Sequence, residues 1–283
     1  MSDLPIRVLG STGVEVTALG MGGEGVLRTF GYADEAAAVI ERALAEGITY
    51  LESARAYSGS ESYYGATLGA RREGIFLASK AHERSRAGAL AQLETTLRAL
   101  RADHLDLWQL HDVREWREVD SFEEPGGAYA AFAEAKERGL VRFIGVTGHH
   151  DPAVLRACVE RFRFDTVLLP VNPAEAARDA FAREVIPAAR LRGMGVIGMK
   201  VFARGLLLEP RLGLTVSELV RYALSHDVDT IVVGYDDPAQ VSAAASAARA
   251  FSPMAGPERA QLERRVAALA ARLTYYRRPE PVR

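Results

Sequence analysis

Eight short apolar segments alternate with longer amphipathic segments along this chain of 283 residues. The apolar segments are rich in β-branched residues and apolar on both faces, as is typical of strands buried in a parallel sheet. Eight repeats of strand then helix predict a (β/α)8 barrel, the TIM-barrel fold of the α/β class. The predicted strands are residues 18–22, 48–51, 75–79, 105–110, 141–146, 166–171, 195–199 and 230–233.

Helix signals occupy the intervals between the predicted strands. Residues 85–100 place leucines at spacings of three and four, which predicts an amphipathic helix with one apolar stripe. Asp151 and Asp237 each precede a proline, a pairing typical of a helix N-cap followed by the first helical residue. The segments that begin at Ser58 and Thr215 each carry a glutamate three residues later and fit the capping box.

A doubly wound parallel sheet is the alternative architecture. That fold often carries a phosphate-binding loop after its first strand, and residues 21–25 are glycine-rich without fitting G-x-G-x-x-G. Residues 7–10 and 14–17 flank a glycine turn and predict an N-terminal β-hairpin, which in a barrel would cover the bottom.

The C-terminal region lies outside the eightfold alternation. Residues 257–273 predict one extra helix, and residues 274–283 form a tail rich in proline and arginine. Arg277 and Arg278 are interpreted as a solvated part of this tail. We predict a single barrel domain over residues 1–283.

Composition excludes several classes of function. Lys and Arg total 35 against 37 for Asp and Glu, and this balance argues against a nucleic-acid partner. The single Cys158 excludes an intrachain disulfide framework and a cysteine-ligated iron–sulfur cluster. No apolar run approaches the roughly 20 residues that span a membrane, and no secretory signal is evident, so we expect a cytoplasmic protein.

Four polar side chains lie where the predicted strands end. Glu52 follows the second strand and Tyr57 comes five residues later, whereas Lys80 and His111 follow the third and fourth strands. Barrel enzymes carry their active sites at this end of the strands. We therefore expect an acid, a phenol, an amine and an imidazole to face one mouth.

Several segments resemble motifs of the aldo-keto reductases. Residues 51–58 read LESARAYS, where that family reads roughly Phe-Asp-Thr-Ala-x-x-Tyr-Gly. FLASK at 76–80 is similar to the family's lysine strand, and DLWQLH at 106–111 is similar to its histidine strand. Further segments align at residues 9–13, 19–22, 144–149 and 232–234. The resemblance thus covers nearly the whole chain. The chain resembles those family members that lack an iron–sulfur extension.

The resemblance implies an enzyme that uses NAD(P)H to reduce aldehyde or ketone groups of small molecules. Tyr57 would be the general acid, and a neighbouring Lys80 ammonium would lower the phenol pKa from its usual value near 10. Glu52 would hold Lys80 charged and oriented. His111 would donate a hydrogen bond to the substrate carbonyl and orient it.

The cofactor implied by the resemblance would lie across the last four barrel strands. NADP(H) is the first expectation, and NAD(H) is the alternative because Asp236 and Asp237 would repel a 2′-phosphate. Met199 takes the place of a tyrosine that many members stack on the nicotinamide. The predicted cofactor-binding residues are Gly22, Gly23, Thr147, Asn172, Met199, Lys200, Arg204, Gly234, Asp237 and Gln240.

Glu52 departs from the family pattern, which has aspartate at this position. The carboxylate lies one methylene further from the backbone, so we expect retuned or reduced turnover, which an aspartate would restore. A purely structural interpretation pairs Glu52 with Arg55 instead.

Two other functions stay open at this stage. One is a Schiff-base lyase that uses Lys80 or Lys200, and the other is a non-catalytic, cofactor-binding barrel with a regulatory role. The adjacent histidines at 149 and 150 are interpreted as part of a helix-entry loop, and we expect no metal site. Substrate identity and oligomeric state are not encoded in any motif that we identify.

Overall fold

Eight parallel strands close into a barrel in the computed structural model, which describes residues 3–178 and 181–277. Each strand pairs with the next along the chain, and the last pairs with the first through Ile231 and Leu19. The predicted TIM barrel is therefore confirmed, because a doubly wound sheet stays open. The strands are β1 (Ile6–Val8) and β2 (Glu15–Thr17) of the hairpin, then β3 (Leu19–Gly25), β4 (Tyr50–Glu52), β5 (Phe76–Ala81), β6 (Leu105–Leu110), β7 (Val141–Thr147), β8 (Thr166–Pro170), β9 (Gly195–Met199) and β10 (Thr230–Tyr235).

Helices surround the barrel and cover its outer face. Strand β6 is followed by two helices, where the alternation predicts one. A short 3-10 turn at Pro173–Ala177 follows β8 before the next α-helix begins. The helices are α1 (Ala33–Ala45), α2 (Ser60–Thr67), α3 (Arg86–Leu100), α4 (Trp116–Phe122), α5 (Ala128–Glu137), α6 (Pro152–Arg161), α7 (Phe181–Leu191), α8 (Val216–Leu224), α9 (Pro238–Arg249), α10 (Gly256–Val266) and α11 (Ala270–Leu273).

Most predicted helix starts agree with the capping geometry. Asp151 accepts a hydrogen bond from the Ala153 amide at 2.9 Å, and Asp237 caps α9 in the same manner. Thr215 and Glu218 form both halves of the capping box that starts α8. These side chains satisfy backbone amides that have no partner within the helix.

The predicted capping box at Ser58 is wrong. Helix α2 begins at Ser60, and the carboxylate of Glu61 points into the protein. Glu61 accepts hydrogen bonds from Ser79 at 2.7 Å and Thr96 at 2.8 Å. Burial of this carboxylate makes such partners necessary, so the side chain is not available to cap the helix.

The hairpin of β1 and β2 closes the amino-terminal end of the barrel, as predicted. Leu9 and Val16 are fully buried and pack into the barrel interior with Tyr50 and Phe76. Gly10 has a positive φ, and a Cβ there would lie 2.3 Å from the Gly195 nitrogen. Only glycine allows the hairpin to approach β9 so closely.

The C-terminal region differs from the prediction in two respects. The predicted single helix is split into α10 and α11 by a 3-10 turn at Ala267–Leu269. Arg277 is buried rather than solvated, because its guanidinium binds the buried Glu175 carboxylate at 3.0 Å. Arg278 lies outside the described residues. Within the described residues, no helix is long and apolar enough to cross a membrane.

Candidate active site

The carboxyl ends of the barrel strands open onto two adjoining cavities. We call the larger, of about 790 Å³, the mouth, and the smaller, of about 330 Å³, the cleft. The two cavities adjoin, since they share the lining residues Glu24, Arg28, Tyr57, Met199, Lys200 and Arg204. The lining of the mouth also includes Lys80, His111, Thr147, His149, Tyr275 and Tyr276, and that of the cleft also includes residues 22–23, Gly25, Glu52, residues 201–202, residues 232–234 and Asp236.

A buried ion pair lies beneath the mouth. Lys80 Nζ lies 2.6 Å from Glu52 Oε1, and it also donates to the Ser53 carbonyl at 2.8 Å. The second Glu52 oxygen accepts from Gln109 Nε2 at 3.0 Å and from the Tyr50 hydroxyl at 3.4 Å. Both charges are thus paired and hydrogen-bonded, as buried charges must be.

The longer glutamate side chain fits this position. With its extra methylene, the carboxylate of Glu52 is in direct contact with Lys80. Tyr50 and Gln109 donate hydrogen bonds to the same carboxylate from the barrel interior. The interpretation that Glu52 pairs with Arg55 is wrong. Arg55 binds the carboxylate of Glu61.

Tyr57 lies at the centre of the site. The Lys80 ammonium and the Arg28 guanidinium each lie 5.2 Å from the centroid of its ring. The His111 ring lies 5.9 Å away and nearly perpendicular to it, at 87°. The four predicted catalytic side chains are thereby brought together at one end of the barrel.

The pKa of Tyr57 differs from the prediction. Burial of the phenol, followed by the nearby carboxylates of Glu24 and Glu52, raises the pKa of Tyr57 well above 10. The net lowering expected from Lys80 is therefore not found, because burial and these carboxylates outweigh the nearby cations. Lys80 is in contact with Glu52, whose negative charge opposes the field of the ammonium at the phenol.

His111 is held in its neutral form. Burial, followed by the nearby Lys80 ammonium, lowers the pKa of His111 well below 6.5. A neutral imidazole carries one N–H donor and one acceptor. His111 can therefore donate a single hydrogen bond into the mouth.

His149 lies beside His111 but is engaged elsewhere. Its Nε2 lies 3.2 Å from Asp112, and its ring packs edge-on against Tyr276. Burial lowers the pKa of His149 to about 4. Among the described residues, no group of three or more His, Cys, Asp or Glu side chains is placed to hold a metal ion.

Six of the predicted cofactor-binding residues line the cleft. They come from the first, seventh and eighth strands of the barrel and the loops that follow them. Thr147 borders the mouth instead, where its buried hydroxyl accepts from the Asp112 amide at 2.7 Å. The six are Gly22, Gly23, Met199, Lys200, Arg204 and Gly234.

Asn172 lies outside both the cleft and the mouth, contrary to its predicted place. Its Nδ2 donates to the Lys200 carbonyl at 3.1 Å and to the Tyr276 hydroxyl at 2.9 Å, and its Oδ1 accepts from the Ala174 amide at 3.0 Å. Both amide hydrogens therefore already have acceptors within the protein.

Asp237 and Gln240 likewise do not line the cleft. Asp237 accepts from the Gln240 amide at 3.0 Å, and Gln240 Oε1 accepts from the Asp236 amide at 2.9 Å. These contacts start helix α9. Both side chains therefore serve as helix caps.

Sequence reasoning missed Glu24, which lies between the predicted cofactor-binding cations. Its carboxylate is hydrogen-bonded to Arg28 and lies 3.7 Å from both Lys200 Nζ and Arg204 Nε. Burial by itself raises the pKa of Glu24, but the surrounding cations outweigh burial and hold the pKa below its usual value. The sequence did contain one signal for this residue, because Glu24 is an acid within the glycine-rich end of β3.

Sequence reasoning also missed the contact between the C-terminal segment and the loop after β8. The Tyr276 hydroxyl donates to Glu175 Oε1 at 2.8 Å, and Arg277 binds the other Glu175 oxygen. These partners are about a hundred positions apart in the chain. No local pattern indicates such a pairing.

The barrel fold agrees with that of a known family. The model of the Aldo/keto reductase family matches residues 18–215. The chain therefore belongs to the aldo/keto reductase family, which is a family of oxidoreductases.

Individual relatives are distant in sequence. L-galactose dehydrogenase from Arabidopsis thaliana is 27% identical over 223 residues, covering 74% of this chain and 69% of its own length. An aldo-keto reductase from Bacillus halodurans in its holo form has a TM-score of 0.78 at 24% identity, covering 93% of this chain and 96% of its own. An aldo-keto reductase from Klebsiella pneumoniae, solved in complex with NADPH, has a TM-score of 0.74 at 20% identity over 99% and 98% of the two chains.

Proposed function

We propose that the protein is an NADP(H)-dependent oxidoreductase that reduces aldehyde or ketone groups of small molecules. The observation that carries the proposal is the position of Tyr57. Its phenol borders both the cleft and the mouth, next to His111 and above the Lys80–Glu52 ion pair. A proton donor in this place can reach a carbonyl in the mouth while a cofactor occupies the cleft.

The chemistry of the cleft fits a nicotinamide dinucleotide. Arg28, Lys200 and Arg204 supply cations for its phosphates, and Met199 offers an apolar thioether near Tyr57 for its nicotinamide ring. When bound, the cofactor supplies the hydride. The NADPH complex of the Klebsiella relative supports NADP(H), whereas Asp236, which also lines the cleft, keeps NAD(H) as the alternative.

The protein's own residues manage the proton and the orientation of the substrate. Tyr57, whose pKa is raised well above 10, carries its proton at neutral pH and donates it to the oxygen of the developing alkoxide. Neutral His111 donates a hydrogen bond to the same oxygen and orients the carbonyl. Lys80, fixed by Glu52, places a positive charge near the ring that stabilises the phenolate left by this transfer, and solvent in the mouth returns a proton to the phenolate.

The direct test is consumption of reduced cofactor. Purified protein is incubated with NADPH or NADH and a panel of aldehydes and ketones, and the absorbance of the reduced nicotinamide is followed. We expect consumption with at least one carbonyl compound, and faster consumption with NADPH. Absence of consumption across the panel with both cofactors would contradict the proposal, and binding without turnover would favour a regulatory barrel.

A second candidate function is favoured by one observation at Lys200. Burial lowers the pKa of this lysine, and its ammonium borders the cleft and the mouth. A desolvated lysine of this kind can form a Schiff base with a carbonyl substrate. Borohydride trapping of a substrate adduct on Lys200 tests this candidate. Lys80 is less suited, because its ammonium is held by Glu52 and the Ser53 carbonyl.

A further inference from the structure

Three cations in the cleft share one carboxylate. Arg28 is hydrogen-bonded to Glu24, and Lys200 Nζ and Arg204 Nε both lie 3.7 Å from Glu24 Oε2. These four side chains come from the end of β3, the turn that follows it and the loop after β9. The cluster carries a net charge of +2 within a chain whose formal charge is −2.

The two contacts at 3.7 Å are too long for hydrogen bonds. Lys200 and Arg204 are thus attracted to the Glu24 carboxylate without a hydrogen bond to it. Their side chains therefore have N–H groups that can donate to another acceptor. A phosphate group carries the charge and the several oxygens that would satisfy all three cations together.

The backbone of Glu24 is held by close packing, and its side chain borders the cleft. A Cβ at Gly234 would lie 2.7 Å from the Glu24 carbonyl carbon, and a Cβ at Gly25 would lie 2.2 Å from the Tyr235 carbonyl oxygen. Strands β3 and β10 therefore meet at this point through glycines. The Glu24 side chain is 22% exposed, and the cleft beside it offers space for another side-chain conformation.

We propose that, in the free protein, the Glu24 carboxylate occupies the place among Arg28, Lys200 and Arg204 that a phosphate group of the bound cofactor would take. Glu24 acts as an internal anion that competes with the ligand's phosphates, and it sets how tightly the cofactor binds. The cofactor part of this inference rests on the proposed function. The competition between Glu24 and a phosphate group is independent of the proposed function.

The test compares Glu24→Gln with the unaltered protein in two binding experiments. Titration calorimetry measures the affinity for inorganic pyrophosphate alone, and quenching of tryptophan fluorescence measures the affinity for NADPH. The amide keeps the shape of the side chain and removes its charge. We expect the Kd of both ligands to fall by about three- to tenfold, because the competing carboxylate is gone.

Two further variants make the result specific. Glu83→Gln removes the same charge from an exposed site on the loop after β5, and it should leave both affinities unchanged. Arg28→Gln removes a proposed phosphate contact from a side chain that is 39% exposed, and it should raise both Kd values several-fold.

The outcomes separate this inference from the proposed function. Tighter binding of pyrophosphate by Glu24→Gln supports the inference, even if neither NADPH nor NADH binds, in which case only the proposed function fails. Unchanged or weaker pyrophosphate binding overturns the inference. Weaker binding would mean that Glu24 orients the three cations and does not compete with the ligand.

Discussion

Lys80 Nζ lies 2.6 Å from Glu52 Oε1, and the two side chains are only 2% and 4% exposed. Each charge therefore depends on the other for compensation, since little water reaches either. The pair connects the barrel interior, through Tyr50 and Gln109, to the ring of Tyr57 in the mouth. This connection relates the stability of the fold to the chemistry of the site.

Removing the charge of Glu52 should destabilise the protein strongly. Glu52→Gln leaves the Lys80 ammonium buried without a counter-charge, at a cost of about 3–5 kcal/mol. Glu52→Asp keeps the charge but withdraws it from Lys80 and Gln109, so we expect a smaller loss. Urea unfolding measures both, and a Gln variant as stable as the unaltered protein would contradict the account.

The same variants test the family pattern. From sequence alone, aspartate at position 52 is predicted to raise turnover. The direct ion pair of Glu52 leads us to expect that Glu52→Asp is no faster than the unaltered protein in a carbonyl-reduction assay. A clear rate increase would show that the longer side chain impairs the site.

The pH dependence of reduction should lack a basic decline near neutrality. Tyr57 donates its proton only when protonated, and its pKa is raised well above 10. The His111 pKa is lowered well below 6.5, so His111 stays neutral over the same interval. We expect kcat to change little between about pH 6 and about pH 9. A decline with an apparent pKa inside that interval would instead match a phenol activated by Lys80.

Stability should decrease as the pH falls below about 6.5. Burial lowers the pKa of His226 to about 4, and its Nε2 has no hydrogen-bond partner in the part of the chain that the structure describes. The unfolded chain binds this proton more readily between about pH 6.5 and about pH 4, so folding stability is lost as the pH falls through that interval. His226 alone contributes a slope of up to ~1.4 kcal/mol per pH unit.

Replacement of His226 isolates this contribution. His226→Gln should show a smaller difference in unfolding free energy between pH values near 7 and near 5 than the unaltered protein does. Equal pH dependence in the two proteins would show that His226 is not the titrating group.

Tyr276 should contribute to stability through its hydroxyl. Tyr276→Phe removes the donor to the buried Glu175 and the acceptor for Asn172, at a cost of about 1–3 kcal/mol. Tyr32→Phe is the control, because this ring is 48% exposed and should change stability by less than about 0.5 kcal/mol. Thermal unfolding of the two variants distinguishes them, and equal melting temperatures would argue against the hydrogen-bond network.

The barrel could be predicted because its signals are local and repeated. Each strand is a short apolar run, and Asp151, Thr215 and Asp237 mark helix starts that the structure contains. The strand ends also predicted where Glu52, Tyr57, Lys80 and His111 would meet. This follows because parallel strands in a closed barrel all end on the same face.

The remaining features depend on contacts that sequence spacing does not encode. Tyr276 reaches Glu175 across about a hundred positions, and this contact also engages Asn172, which sequence reasoning assigned to the cofactor. The direction of the Tyr57 pKa shift depends first on burial of the phenol and then on the nearby carboxylates of Glu24 and Glu52. The size and sign of such pKa shifts depend on burial and on distances between charges, which only the three-dimensional structure gives.

We propose Tyr57 as the proton donor in a reduction that uses NADPH, and Tyr57→Phe removes the hydroxyl that would carry this proton. Both kcat with a reactive aldehyde and the Kd of NADPH are measured for this variant and for Tyr32→Phe, an exposed tyrosine used as the control. We predict that Tyr57→Phe loses about 10²–10⁴-fold in kcat, while its Kd for NADPH and both constants of Tyr32→Phe stay unchanged. A Tyr57→Phe protein that reduces the aldehyde at the rate of the unaltered protein would contradict the account.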